Sequence, residues 1–315
     1  MKVTIIGPGA LGCLLAASLT IKLDPSDRKV GVPDIWLLDH RPERAQKLVE
    51  QGLILEENGR QKNCKIKATD NLQEIGTSDV IILCVKSTQV AASLQLASQL
   101  VQEDSLLLTM QNGIGHLELL KDKQKPPSIV IGVTAQGANL VAPGHVRHAG
   151  DGLTRIGFLK SVSFSKSLLL SKLCNLLNYG GIETLIVDNI MDYVWSKLLV
   201  NVGINALTAI HGCPNGKLLE SAATKDELAA AVREGEAVAR ALGIEMIGDP
   251  LVMTLNVCSK TARNLSSMLQ DVNNKRLTEI DSINGAIVAA GKNLGIPTPV
   301  NDELVLKVRE IEQSF

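Results

Sequence analysis

The first twenty residues constrain the fold more tightly than any other stretch. Lys2-Val3-Thr4-Ile5-Ile6 is a β-branched, apolar run that reads as a buried strand. Gly7-Pro8-Gly9-Ala10-Leu11-Gly12 follows at once, and residues 10–20 continue as an apolar helix. A strand that enters a helix through glycines at this spacing has a defined use for each of them. Gly7 permits the tight turn, Gly9 lets a pyrophosphate approach the backbone, and Gly12 lets the helix close on the sheet. The helix start adds unbonded N–H groups and a partial positive charge. G-x-G-x-x-G alone is a weak signal, and a purely structural glycine turn is the competing explanation. Its place after a strand and at the head of a helix is what points to a dinucleotide.

The same rhythm continues. Residues 34–39, 80–85, 106–110 and 129–132 read as further strands, and 42–52 as a helix with Pro42 in its first turn and Gly52 past its end. Strands alternating with helices predict an α/β domain built on a doubly wound parallel sheet. From residue 165 the pattern changes: 165–177 is helical and 184–187 is strand-like. After that come helices over 191–209, 225–242, 253–261, 267–294 and 302–312. The expected organisation is a Rossmann-type dinucleotide-binding domain over 1–183 and an all-helical domain over 184–315. The polar segment 22–33 with two prolines reads as an inserted surface loop.

Composition narrows the function. Aromatic residues make up 2% of the chain, too few for a binder that stacks bases or sugars on aromatic faces. A net charge of −1 without charge runs lacks the footprint of a nucleic-acid or membrane-surface protein. The six cysteines have no C-x-x-C spacing and read as reduced thiols, so no metal site is expected. Neither a signal peptide nor a span of ~18 apolar residues stands out, which gives a cytoplasmic expectation. A monomer and a homodimer are both open.

Candidate chemistry lies in three places. Asp39-His40-Arg41 and Arg44 follow the second strand, where an acidic residue reads the ribose of NAD and a basic one the 2′-phosphate of NADP. The two signals conflict, and Arg41 and Arg44 can equally be solvated helix-start residues. Asn112 and Lys86 follow strands at the end where ligands bind in open α/β sheets; each can also be a plain turn residue.

The third place is the segment 195–208. Lys197, Asn201 and Asn205 recur every four residues on one face of an otherwise apolar helix. Asparagine is a poor helix former, so the stripe reads as a wet wall or as an interior hydrogen-bond network. A desolvated lysine can donate a proton to an alkoxide formed by hydride addition. Ser267 with Gln270 has capping-box spacing and reads as a helix start able to receive a carboxylate. Glu279 can pair with Lys197, hold a ribose hydroxyl, or sit on the surface.

Four stretches, GPGALG at 7–12, QNGIG at 111–115, the run 196–218 and the run 266–287, resemble ketopantoate reductases (2-dehydropantoate 2-reductases) in consistent order over residues 1–299. The resemblance implies a helical second domain like that of 6-phosphogluconate dehydrogenase. It also implies reduction of ketopantoate, a small 2-oxo acid, to (R)-pantoate in pantothenate synthesis. By the same resemblance Lys197 is the general acid, and Asn201, Asn205, Asn215 and Ser267 touch the substrate. Asn112 lies between substrate and cofactor, while Ala138 and Glu279 contact the cofactor. NADPH is the implied cofactor. Asp39, standing where the family has an arginine, keeps NADH open.

Overall fold

A computed structural model describes residues 1–22, 32–121 and 127–315. The polar 22–33 segment therefore lies almost wholly outside the described residues. The strands are β1 (Lys2–Ile6), β2 (Asp34–Leu38), β3 (Leu53–Glu57), β4 (Arg60–Cys64), β5 (Lys67–Thr69), β6 (Val80–Leu83), β7 (Leu106–Thr109), β8 (Ser128–Thr134), β9 (Gly137–Ala142), β10 (His145–Gly150), β11 (Thr154–Phe158) and β12 (Thr184–Ile186). Helices α1 (Ala10–Ile21), α2 (Pro42–Gln51), α3 (Leu72–Ile75), α4 (Val90–Ala97), α5 (Glu118–Lys121) and α6 (Phe164–Tyr179) run among them. Then follow α7 (Ile190–His211), α8 (Ala222–Ala241), α9 (Pro250–Lys260), α10 (Ser267–Asn273), α11 (Asn284–Leu294) and α12 (Pro299–Gln313).

The main sheet has eight strands in the order β5-β2-β1-β6-β7-β8-β11-β12. Its first six are parallel, and the strand order reverses at β1, which has β2 on one side and β6 on the other. That is the doubly wound arrangement, in which ligands bind beyond the carboxyl ends of the strands where the order reverses. Strand β11 runs antiparallel to β8 and carries β12 parallel to itself. The central strands are buried on both faces, as Val3, Ile5, Ile82, Leu106, Leu108 and Val130 show, which is why they read as unbroken apolar runs.

Sequence reading did not foresee a second, four-stranded sheet, β4-β3-β10-β9. Strand β4 (RQKNC) is almost wholly exposed and has no apolar alternation. Its signal was the turn: Asn58 and Gly59 both take positive φ (51° and 72°), as a two-residue Asn-Gly hairpin requires. Helix α1 touches β1 and β2 as well as all four strands of this small sheet. Covered on two sides, it buries every residue from Gly12 to Leu19, so it is apolar all round rather than striped.

The chain forms two compact units, Met1–Gln111 with Leu119–Ile190, and Asn112–Glu118 with Met191–Phe315. The boundary falls later than the expected 183/184, because β12 is hydrogen-bonded into the main sheet. The second unit is helical around α7, whose Leu198, Leu199, Val202 and Ala206 are fully or almost fully buried. Alone, α7 is long and apolar enough to cross a membrane, but here it is the central helix of that core.

One expected element divides. The helix read over 267–294 is α10, a short helical turn at Ile280–Ser282, and α11. The pair Asn273-Asn274 ends α10, and Lys275 takes a positive φ of 50°, incompatible with continuing a helix. The break puts Glu279 on a turn instead of a helix face.

Candidate active site

The glycine turn has the geometry its spacing implied. Gly7 has φ +103°, and a Cβ there would lie 2.7 Å from Val85 Cγ1. A Cβ on Gly12 would lie 2.0 Å from the Gly7 carbonyl oxygen, so only glycine allows α1 to start this close to β1. Gly9 differs, since a Cβ there would meet a single atom, at 3.7 Å, and the surface over it stays open. No side chain caps α1 and no acidic residue occupies its first turn. Among the described residues no side chain takes up the N–H groups of Ala10, Leu11 and Gly12, which can therefore receive an anion, and Pro8 ahead of them is buried. A pyrophosphate fits this cradle in shape and in charge.

At the end of β2 the two conflicting signals turn out to be bonded to each other. Arg44 donates through Nε to Asp39 Oδ2 and through Nη2 to Asp39 Oδ1, the latter at 2.7 Å. The backbone N–H of Arg41 also reaches Asp39 Oδ1, at 3.1 Å. The Asp39 side chain is 0% exposed, whereas His40 and Arg41 face solvent. Arg44 is thus not a solvated helix-start residue. Lys86 stands three residues past β6, partly buried, and leads into a short helical turn at Ser87–Gln89. Ala138 lies on β9, in register with His148 of β10.

The second cluster lies within the helical unit. Lys197 Nζ donates to Asn112 Oδ1 at 2.9 Å, and Asn112 Nδ2 donates to Glu279 Oε2 at 3.4 Å. Burial pushes the Lys197 ammonium down from 10.5 to about 8, against a smaller upward pull from the Glu279 carboxylate. The amide of Asn112 thus links lysine and carboxylate. Asn201 and Asn205 follow Lys197 at helical spacing along α7, the first partly buried and the second buried.

Ser267 begins α10, as its spacing predicts, but does not cap it. The N-cap of α10 is Ser266, whose hydroxyl accepts from the Leu269 N–H at 3.1 Å. The hydroxyls of Ser266 and Thr208 also bond, at 2.7 Å, tying α10 to α7. Gln270 turns away and donates to the Leu265 carbonyl. The cap lies one residue before the expected serine, because two serines stand together and the buried one caps. Ser267 is the first helical residue and is exposed. Asn215 is buried, donates to Thr261 Oγ1 at 2.8 Å, and leaves its own Oδ1 with no partner among the described residues.

Two family models cover most of the chain, "Ketopantoate reductase PanE/ApbA" over residues 3–161 and its "C terminal" companion over 189–312. The chain belongs to the ketopantoate reductase family. It is therefore an oxidoreductase with a Rossmann-like nucleotide domain and a small-molecule substrate. It is 31% identical to the 2-dehydropantoate 2-reductases of Halobacterium salinarum (98% of each chain) and Vibrio cholerae (100% of this chain, 99% of the relative). A PanE/ApbA family ketopantoate reductase from Ralstonia eutropha superposes with TM-score 0.88 at 29% identity, over 100% of this chain and 99% of that one. A D-mandelate dehydrogenase solved with NADH and anilino(oxo)acetate does so equally well, at 30% identity over the same shares.

Among ketopantoate reductase positions, the structure brings Lys197, Asn112 and Glu279 together and keeps Asn201 and Asn205 on the same helix as Lys197. Sequence reasoning missed Arg44 as the partner of Asp39. It also missed Thr261 as the partner of Asn215, and Thr208 with Ser266 as the tie between two helices. The only signal for Arg44 was its place five residues after Asp39, in the first turn of α2.

Proposed function

We propose that this chain is a 2-dehydropantoate 2-reductase that uses NADPH, with Lys197 as its general acid. The observation that carries the reading is the Lys197–Asn112–Glu279 chain, in which a lysine desolvated to about 8 is held by a neutral amide. When bound, the nicotinamide supplies the hydride. Lys197 would give the developing alkoxide its proton while its charge stabilises the oxygen. Asn201, Asn205, Asn215 and Ser267 would orient the 2-oxo acid through uncharged donors and acceptors. Gly7 to Gly12 would hold the pyrophosphate. Lys86, Ala138 and Glu279 would complete the cofactor contacts.

NADPH is favoured by the state of Asp39. A carboxylate buried under Arg44 is not presented to a ribose hydroxyl, and its charge is cancelled where it would otherwise repel a 2′-phosphate. Arg41 and His40 remain exposed beside it. A second reading, an NADH-dependent reductase of another branched or aryl-substituted 2-oxo acid, is favoured by the D-mandelate dehydrogenase neighbour and its bound NADH.

Steady-state reduction of ketopantoate and of an aryl 2-oxo acid, with each cofactor, separates the two. Ketopantoate with NADPH should give the highest kcat/KM, and kcat should fall as pH rises through about 8 because the ammonium is lost. Lys197→Ala should lower kcat by ~10²-fold or more. A loss of only a few-fold would remove Lys197 from the role.

A further inference from the structure

We propose that Gly113, packed against the backbone carbonyl of Ser282, is a positioning residue that holds Asn112 on the proton-donating lysine. This rests on Lys197 being the general acid. The chain crosses between its two units at Gln111/Asn112, and both residues are pinned to their own side. Gln111 Nε2 donates to the carbonyls of Leu83 and Val85, both at 2.9 Å, in the nucleotide-binding unit. Asn112 and the six residues after it belong to the helical unit.

Their backbone is held at one carbonyl, that of Ser282. The Ser282 oxygen accepts from the Ile114 N–H at 3.0 Å and, more loosely, from the Gly115 N–H at 3.5 Å. Gly113 has φ +78°, and a Cβ on it would lie 2.1 Å from that oxygen and 2.6 Å from its carbon. Any side chain would push the segment off its acceptor. Ile114 packs into the helical core and Leu117 is buried, so the segment behind the contact is held as well.

Ser282 and Glu279 sit at opposite ends of one short turn, closed by the Ser282 N–H donating to the Glu279 carbonyl at 3.0 Å. The turn is anchored to α12 by Arg309 on Asp281 and by the Thr278 N–H on Glu312. One rigid turn therefore grips the segment twice, by backbone at Ser282 and by the Glu279 carboxylate on the Asn112 amide. Both grips aim Asn112 Oδ1 at Lys197 Nζ. The Glu279 carboxylate also acts on Lys197 through its charge, so a displaced Asn112 removes a neutral acceptor and leaves that charge in place.

The test follows Lys197 itself as well as turnover. In the full-length protein, acetic anhydride labelling of Lys197 is measured across pH by peptide mass spectrometry, which reports its neutral fraction. Gly113→Ala should move that titration to lower pH by about half a unit or more, since the ammonium loses a charge-assisted hydrogen bond. Reduction should slow by ~10-fold or more. Asn112→Ala should produce the same displacement, and the double variant should add nothing.

A Gly113→Ala protein with the wild-type Lys197 titration refutes the proposal, whether or not its kcat has dropped. So does additivity with Asn112→Ala. If Gly113→Ala does not fold, Gly115→Ala serves, because its Cβ would approach Ser282 less severely, to 3.1 Å. A smaller displacement in the same direction supports the proposal, and none overturns it. A displaced titration in a protein whose Lys197→Ala form still turns over would keep the positioning role and discard the general acid.

Discussion

Lys197 illustrates how a residue can be costly to the fold and useful to the site. Its depressed pKa means that the unfolded chain holds a proton more readily than the folded one between pH 8 and 10.5. Below about pH 8 the buried charge therefore costs the folded state up to about 3 kcal/mol. The cost fades as pH rises from about 8 through 10.5, and well above 10.5 both states are neutral. Lys197→Met should raise the melting temperature at pH 7, with a gain that shrinks by pH 10.5, while turnover collapses. A gain that does not change with pH would mean that the lysine is not strained by burial. His116 titrates with the same sign logic: burial lowers it to about 4, so its contribution is complete above pH 6.5 and is lost as pH falls toward 4.

At the scale of elements, the clearest prediction concerns the start of α10. Ser266 caps the helix and ties it to Thr208, so Ser266→Ala removes two interactions at once. It should cost about 1–2 kcal/mol in urea unfolding, and Ser267→Ala should cost almost nothing. Equal effects would show that the cap was assigned to the wrong serine. The same pair shows what the sequence could and could not reveal. Parallel strands were legible because burial on both faces leaves continuous apolar runs, as in Val80–Leu83. The small sheet was not legible, because β4 carries no alternation and its one signal, Asn58-Gly59, is two residues long. The break after α10 depends on Lys275 adopting a left-handed conformation, which no periodicity announces.

For the whole molecule, the cradle at Gly7–Gly12 couples ligand to stability. A dinucleotide that binds only the folded chain should stabilise it by ~2.7 kcal/mol at a hundredfold excess over its Kd. Thermal melts with NADPH and NADH would rank the two cofactors without any substrate. Gly12→Ala, which forces a Cβ to 2.0 Å from the Gly7 carbonyl oxygen, should abolish the gain with either. A retained gain would place the nucleotide elsewhere. Much of the candidate site was legible as residue types at helical spacing, from Lys197 to Asn205. Its wiring was not, because Asn112 and Glu279 reach Lys197 across 85 and 82 residues of chain.

That distance has a consequence for anyone who cuts the chain. The helical unit is discontinuous, since seven of its residues, Asn112–Glu118, are encoded among the strands of the other unit. A fragment starting at Met191 would keep Lys197, Asn201, Asn205 and Glu279, yet would lack Asn112, whose amide oxygen accepts from Lys197. The missing part is a short keyed plug, and a peptide of that sequence added back in trans is its natural complement. Shuffling this helical half onto another nucleotide-binding half would leave the plug behind, so the two halves can be exchanged only with that loop included.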